Sequence, residues 1–414
     1  MKKSDLKACF SAKDNLKALF TPPIRSHVPV LDSLRALSFH WVFGFHALYI
    51  LRFFIPTSIR EDFFEQTSNL TFFWRGTFGV DIFFVISGFL ITKLLITEYQ
   101  NTGGIDIPRF YKRRFLRLMP VYYFAILVIA VGYPPEYEVF QPKNGWNLWA
   151  NLLYVNNFLS HDQQSMLWTW SLAIEEQFYL LFPIVFLFVV KFNKSGVLIL
   201  CAVLVVSTVG RWWYVTSVPF DSSSMIQLVD VHSSFFDSIY DKLHFRIGAI
   251  ICGILAAFWF LRFGESTSIK IRTLGKAPIL AELLMLATLF CLVFFEDGGS
   301  KFWVAYVASF RTIFSIVLTL LLLLYLTAAS DQMLFKRLLT AKFWYPLAQL
   351  SYGSYIWHPM SLFTFYFLFW RDDEYLSISN IIISISLSYF MTFLLSIGSF
   401  VYLEKPFMKM RGFL

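Results

Sequence analysis

Arg35 and His46, in the segment LDSLRALSFHWVFGFHALYI, have the types and the spacing for chemistry inside a membrane. Eleven residues of helix turn about 20° past three full turns and rise roughly 16 Å, so both side chains lie on one face, the imidazole three turns from the guanidinium. An ionisable group within an apolar helix costs about 3 kcal/mol to insert and is retained chiefly where a site uses it. Two further groups stand at a similar depth: His358 in SYGSYIWHP, and Glu175 in WTWSLAIEEQFYLLFP. An imidazole and a carboxylate that meet away from water are the parts of a general base and its orienting partner. Arg109, Lys112, Arg113, Arg114 and Arg117, in TGGIDIPRFYKRRFLRLMP, can hold polyphosphate through charge-assisted, often bidentate, hydrogen bonds. Taken alone, that cluster is equally the ordinary basic edge of a membrane protein.

The elements that must carry these residues are long apolar helices. The 414 residues are 57% hydrophobic and 15% charged, with a mean hydropathy of +0.59, which excludes a soluble protein and places the fold in the all-α integral membrane class. Spans of about 20 apolar residues are expected at 31–51, 78–98, 118–133, 170–190, 196–218, 244–261, 277–295, 303–328, 344–370 and 378–402. Ten helices put both termini on one side. The side holding them carries 23 Lys and Arg against seven on the other, so by the positive-inside rule it is cytoplasmic. Acidic outer loops agree, with Asp221, Asp230, Asp237 and Asp241 in one and Asp372, Asp373 and Glu374 in another. The expected organisation is a basic leader over 1–30, one membrane domain over 31–405 and a short basic tail over 406–414.

Anionic lipid headgroups explain the basic balance of 35 Lys and Arg against 27 Asp and Glu better than nucleic acid does. Cys9, Cys201, Cys252 and Cys291 have no metal-ligand or redox spacing. The first thirty residues lack a cleavable signal pattern. NLWANLLYVNNF, in the longest outer loop, is too short to span and is expected on the membrane or dipping into it. Ser87 and Gly88, in GVDIFFVISGFLITKLL, read first as close-packing residues. His40, His161, His232 and His244 read as structural. Arg211, Arg246 and Arg311 either line a cavity or snorkel from helix ends.

Five ordered segments, LDSLRALSFHWVFGFH, GVDIFFVISGFLIT, RFYKRRFLRLMP, TWSLAIEEQFYLLFP and SYGSYIWHP, resemble the bacterial membrane-bound acyltransferase family three over about residues 30–405. The resemblance implies ten helices, a cytoplasmic acyl-coenzyme A donor, usually acetyl, and no metal. The implied acceptor is a sugar hydroxyl of an envelope glycan, such as lipopolysaccharide, peptidoglycan or exopolysaccharide, or of its lipid-linked precursor. It assigns catalysis to Arg35, His46, Glu175 and His358, with donor binding to Arg35, Arg113, Arg114, Arg117, Ser87 and Gly88. Ser33 stands where many members have Gly, and Trp168 where many have His. A secondary transporter or flippase for an anionic or glycolipid solute is the alternative for ten helices with buried charges, but no paired inverted repeats are visible. Neither the acceptor sugar, the oligomeric state nor direct against covalent transfer is legible.

Overall fold

A computed structural model describes residues 7–23, 27–55, 67–132, 147–217, 236–295, 301–369 and 377–412. Lys2, Lys3, Arg25, His232 and the loop acids Asp221, Asp230, Asp372, Asp373 and Glu374 lie outside them. The long helices are α2 (Pro29–Leu51), α3 (Phe78–Thr102), α4 (Ile107–Gly132), α5 (Trp170–Phe192) and α6 (Lys194–Ser217). They continue with α7 (Leu243–Arg272), α8 (Ala277–Phe294), α9 (Lys301–Thr327), α10 (Trp344–Phe369) and α11 (Ile378–Ser399). A short α1 (Ala12–Leu19) precedes them, and α12 (Lys405–Met410) follows a π-helical turn, Phe400–Glu404. The described residues contain no strand. Among them, nine helices are long and apolar enough to cross a membrane. The remaining long one, α10, has 26 residues and is diluted by Gln349, Ser351, Ser354, His358 and Ser361.

All ten expected spans correspond to helices. The largest differences in bounds are at α7, which runs on to Arg272 rather than ending at 261, and at α4, which starts at Ile107 rather than 118, so the arginines expected in a loop stand on its first three turns. The pattern there is amphipathic, with Phe110 and Leu116 buried while Arg109, Lys112 and Phe115 face outward. The preceding turn is short because Gly103 ends α3 in the left-handed region at φ 74°, its N–H returning to the Tyr99 carbonyl at 2.8 Å.

Small residues decide which helices touch. A Cβ on Gly88 would lie 2.2 Å from the Ile250 carbonyl oxygen, and one on Gly253 would lie 2.1 Å from that of Val85, so α3 and α7 meet backbone to backbone. Neither carbonyl can rotate away. Gly253→Ala is therefore expected to destabilise by about 1–3 kcal/mol and to lower the melting temperature in detergent. Gly398→Ala, where the new Cβ meets nothing within 4 Å, is the control that should not.

On α11 the small polar residues recur every four positions. Ser384, Ser388, Thr392 and Ser396 are all fully buried against α10, while Ile382, Phe390 and Leu394 face outward. Ser354 and Ser396 hydroxyls pair at 2.9 Å, and Trp357 Nε1 donates to Ser399 at 2.6 Å. This docking fixes the rotation of α10 and hence of His358.

The described terminal segments share one end: Asn15 Nδ2, in α1, donates to the Val401 carbonyl at 3.0 Å. At the other end, 147–158 folds into the protein. Asn151, Asn156 and Asn157 are fully buried, with Asn151 bonded to Thr169 at 3.0 Å and Asn157 to Gln177 at 2.8 Å. Buried amides need protein partners when lipid offers none, and α5 and the segment leading into it supply them.

Candidate active site

Helices α2, α3, α4, α5 and α10 enclose a pocket of about 530 Å³. At the end of the bundle that holds the termini, its walls carry Arg35 from α2 and Arg114 and Arg117 from α4. Arg114 and Arg117 are three residues apart and so share a helix face. The Arg114 Nε is buried without a hydrogen bond, a donor left for an incoming acceptor. Arg113 does not line the pocket.

Deeper in, the walls carry Ser87, Glu175 and Tyr179. Ser87 Oγ donates to Glu175 Oε1 at 2.8 Å, and the Tyr179 hydroxyl donates to Ser87 Oγ at 3.2 Å. Arg35 and Arg117 act electrostatically on this carboxylate. Deepest of all are Ser171 and Tyr355. The Tyr355 hydroxyl donates to the Trp168 carbonyl at 2.9 Å and receives from Ser171 at 2.6 Å. The Tyr355 ring packs on His358, centroids 5.6 Å apart.

His358 meets His46 just past this point, Nε2 to Nδ1 at 3.1 Å. Their partners assign the protons. His358 Nδ1 lies 3.1 Å from the Ser354 carbonyl, which only accepts, so the proton is on Nδ1 and Nε2 is an acceptor. His46 Nδ1 faces that Nε2 and, at 3.1 Å, the Val42 carbonyl. Both neighbours accept, so His46 also carries its proton on Nδ1. The lone pair of His46 Nε2 is left for a substrate proton. His358 is fully buried while His46 is part-exposed, which makes His46 the accessible member.

Helix rise placed His46, His358 and Glu175 at one depth, and the two imidazoles do meet. Glu175 turns instead toward Ser87 and Tyr179. Residue counting yields height but not azimuth, and α5 turns Glu175 toward Ser87 of α3 rather than toward the two imidazoles. The hydrogen-bond partners of His46 Nδ1 are His358 and the Val42 carbonyl, not Glu175. Gly88 faces α7 and does not line the pocket; its role is packing, as a residue with no side chain suits a backbone contact.

The three intramembrane arginines are buried rather than snorkelling from helix ends. Asp81 pairs with Arg311 at 2.5 Å and with Arg246 at 3.3 Å, all three at most 6% exposed, and Arg211 hydrogen-bonds Thr312. His40 bonds Tyr389 at 2.7 Å on α11, and the His161 N–H donates to Asp237 at 2.7 Å, both away from the pocket. Tyr179, Tyr355 and Glu404 line the pocket and were not singled out from sequence. Tyr179 was detectable, since it stands four residues after Glu175 on the same helix face. Tyr355 and Glu404 had no local signal.

The geometry defines a polytopic helical membrane protein with a guanidinium-lined pocket opening at one end and an imidazole pair beyond its inner wall. Residues 28–401 match the family model described as an acyltransferase domain, and the chain belongs to that family as a multi-pass bacterial membrane protein. It is 27% identical over 416 residues to the O-acetyltransferase OatA of Staphylococcus aureus, covering 96% of this chain and 59% of that protein. It is 33% identical over 204 residues to the peptidoglycan O-acetyltransferase OatA of Listeria monocytogenes, covering 46% of this chain and 29% of that protein. The chain thus spans 59% of the length of the Staphylococcus relative. No solved structure matches it.

Proposed function

We propose that the chain is an O-acyltransferase that takes an acetyl group from acetyl-coenzyme A on the cytoplasmic side and passes it to a sugar hydroxyl on the outer side. Peptidoglycan is the favoured acceptor class, because the named activity of the Listeria relative is on that glycan. The observation that carries the reading is the continuous polar track from Arg35, Arg114 and Arg117, past Ser87 and Glu175, to Ser171 and Tyr355, with the His46 and His358 pair next beyond.

Arg35, Arg114 and Arg117 hold the donor's phosphates by charge-assisted hydrogen bonds. The orphan Arg114 Nε and the open volume among these groups fit that ligand. The donor supplies a thioester, whose thiolate is a good leaving group. His46 Nε2 takes the proton of the sugar hydroxyl as the new carbon–oxygen bond forms, and yields it to the released thiolate. His358 keeps the His46 proton on Nδ1, so the working nitrogen stays basic. Ser87, aligned by Glu175 and Tyr179, lies where the acyl end of the donor passes.

Membranes containing the chain should consume acetyl-coenzyme A and release free thiol only when the glycan acceptor is present. Thiol release that ignores the acceptor, or none at all, would overturn the assignment. Arg35→Ala should weaken donor binding by about tenfold or more, the scale of a hydrogen bond between charged groups, with the acceptor KM unchanged. A donor affinity equal to wild type would remove Arg35 from phosphate binding.

A further inference from the structure

On the side of α7 away from α3 there is a second cavity, of about 1100 Å³, between α7, α9 and the α5–α6 turn. Its walls are largely apolar, and Leu255, Phe258, Trp259, Leu320, Leu323 and Leu324 are among the residues that line it. Two cations stand at its rim, Lys194 at the start of α6 and Arg262 on α7, both exposed. Thr319 points into it from α9. This residue is 7% exposed, and its hydroxyl has no hydrogen-bond partner. Most threonines in these helices return their hydroxyl to the carbonyl four residues back, as Thr208, Thr288 and Thr327 do.

We propose that this cavity is a binding site for one anionic glycerophospholipid of the leaflet nearest the termini, independent of the acyl-transfer reading. Its acyl chain lies along the leucines and Trp259, its phosphate sits on Lys194 and Arg262, and Thr319 donates to an ester oxygen. The physical case combines three features that converge only on such a molecule. A cleft of about 1100 Å³ lies just above the usual range of ligand pockets, roughly 300–1,000 Å³, and its apolar lining gains dispersion contacts from an acyl chain laid along it. Flanking side chains such as Leu198, Phe263 and Leu320 are exposed on the outer surface of the bundle, so the mouth faces hydrocarbon rather than water. The rim charges are both positive, and Lys and Arg at a membrane surface favour anionic over zwitterionic headgroups. A hydrophobic peptide would account for the walls but not for the paired cations beside a lone buried hydroxyl.

The test uses the full chain, reconstituted in bilayer discs of equal phosphatidylglycerol and phosphatidylethanolamine and released for native mass spectrometry. The wild type should retain one phosphatidylglycerol in preference to phosphatidylethanolamine. In the Lys194→Gln/Arg262→Gln double variant, whose replaced residues are exposed, that preference should fall roughly ten- to thirty-fold. Leu323→Trp, which fills the cleft, should remove the retained lipid of either kind, with thiol release in the acyltransfer assay unchanged. A wild type with no headgroup preference, a double variant that keeps it, or a lipid-free dimer sealed through this face would each overturn the proposal.

Discussion

Ester formation is expected to fall by about 10²- to 10⁴-fold when His46 is replaced by alanine, the range that a general base contributes. The effect should appear in kcat with the donor affinity unchanged, since His46 does not line the pocket that holds Arg35, Arg114 and Arg117. His358→Gln separates the two imidazoles. The amide can still accept a hydrogen bond from His46 Nδ1, so this variant should keep more activity than His358→Ala, while both keep Nε2 of His46 in place. Radiolabelled acetyl transfer to the glycan, with size-exclusion profiles confirming folded protein, reads all three variants. Normal transfer by a folded His46→Ala protein would sink the base assignment. Equal loss in His358→Gln and His358→Ala would remove the tautomer role from His358.

The second large effect concerns stability. Asp81 is the carboxylate that pairs with two buried guanidinium groups, those of Arg246 and Arg311. Arg246 otherwise rests on aromatic faces, with its carbon 5.0 Å from the Trp170 ring centre and 5.4 Å from that of Tyr240, contacts that add only about 0.5–2 kcal/mol. Asp81→Ala leaves two buried cations without their counter-ion and should cost about 3–5 kcal/mol. The melting temperature in detergent should drop well beyond that of Gly253→Ala. Adding Arg311→Leu to Asp81→Ala should recover part of the loss, because a buried pair replaced by apolar groups is often neutral. A single variant that melts with the wild type would show that lipid or water already compensates these charges.

Several features were legible because they depend on local composition. Apolar length marked ten helices, and the cost of inserted charge marked Arg35, His46, Glu175 and His358. The start of α4 was misplaced because Arg109 to Arg117 break an apolar run without breaking a helix: arginine is a good helix former, and Phe110 and Leu116 keep the buried stripe. The close α3–α7 contact was half visible. Gly88 announced a packing surface, but nothing near it in sequence pointed to Gly253, 165 positions away, as its counterpart.

By itself the sequence determined a bacterial-type helical membrane protein, its spans and the titratable residues buried within them, because burial of charge and the length of an apolar run are properties of a single helix. Tertiary structure alone decided that His46 faces His358 while Glu175 faces Ser87, and that Asp81 gathers Arg246 and Arg311. Rotation and neighbourhood arise where small residues let two backbones approach, and that pairing between distant helices leaves no mark in either helix taken alone. The separation of Arg35 from His46, three turns along one helix, acquires its meaning there: α3, α4, α5 and α10 close around Arg35 to form the pocket, and α10 brings the second imidazole to His46.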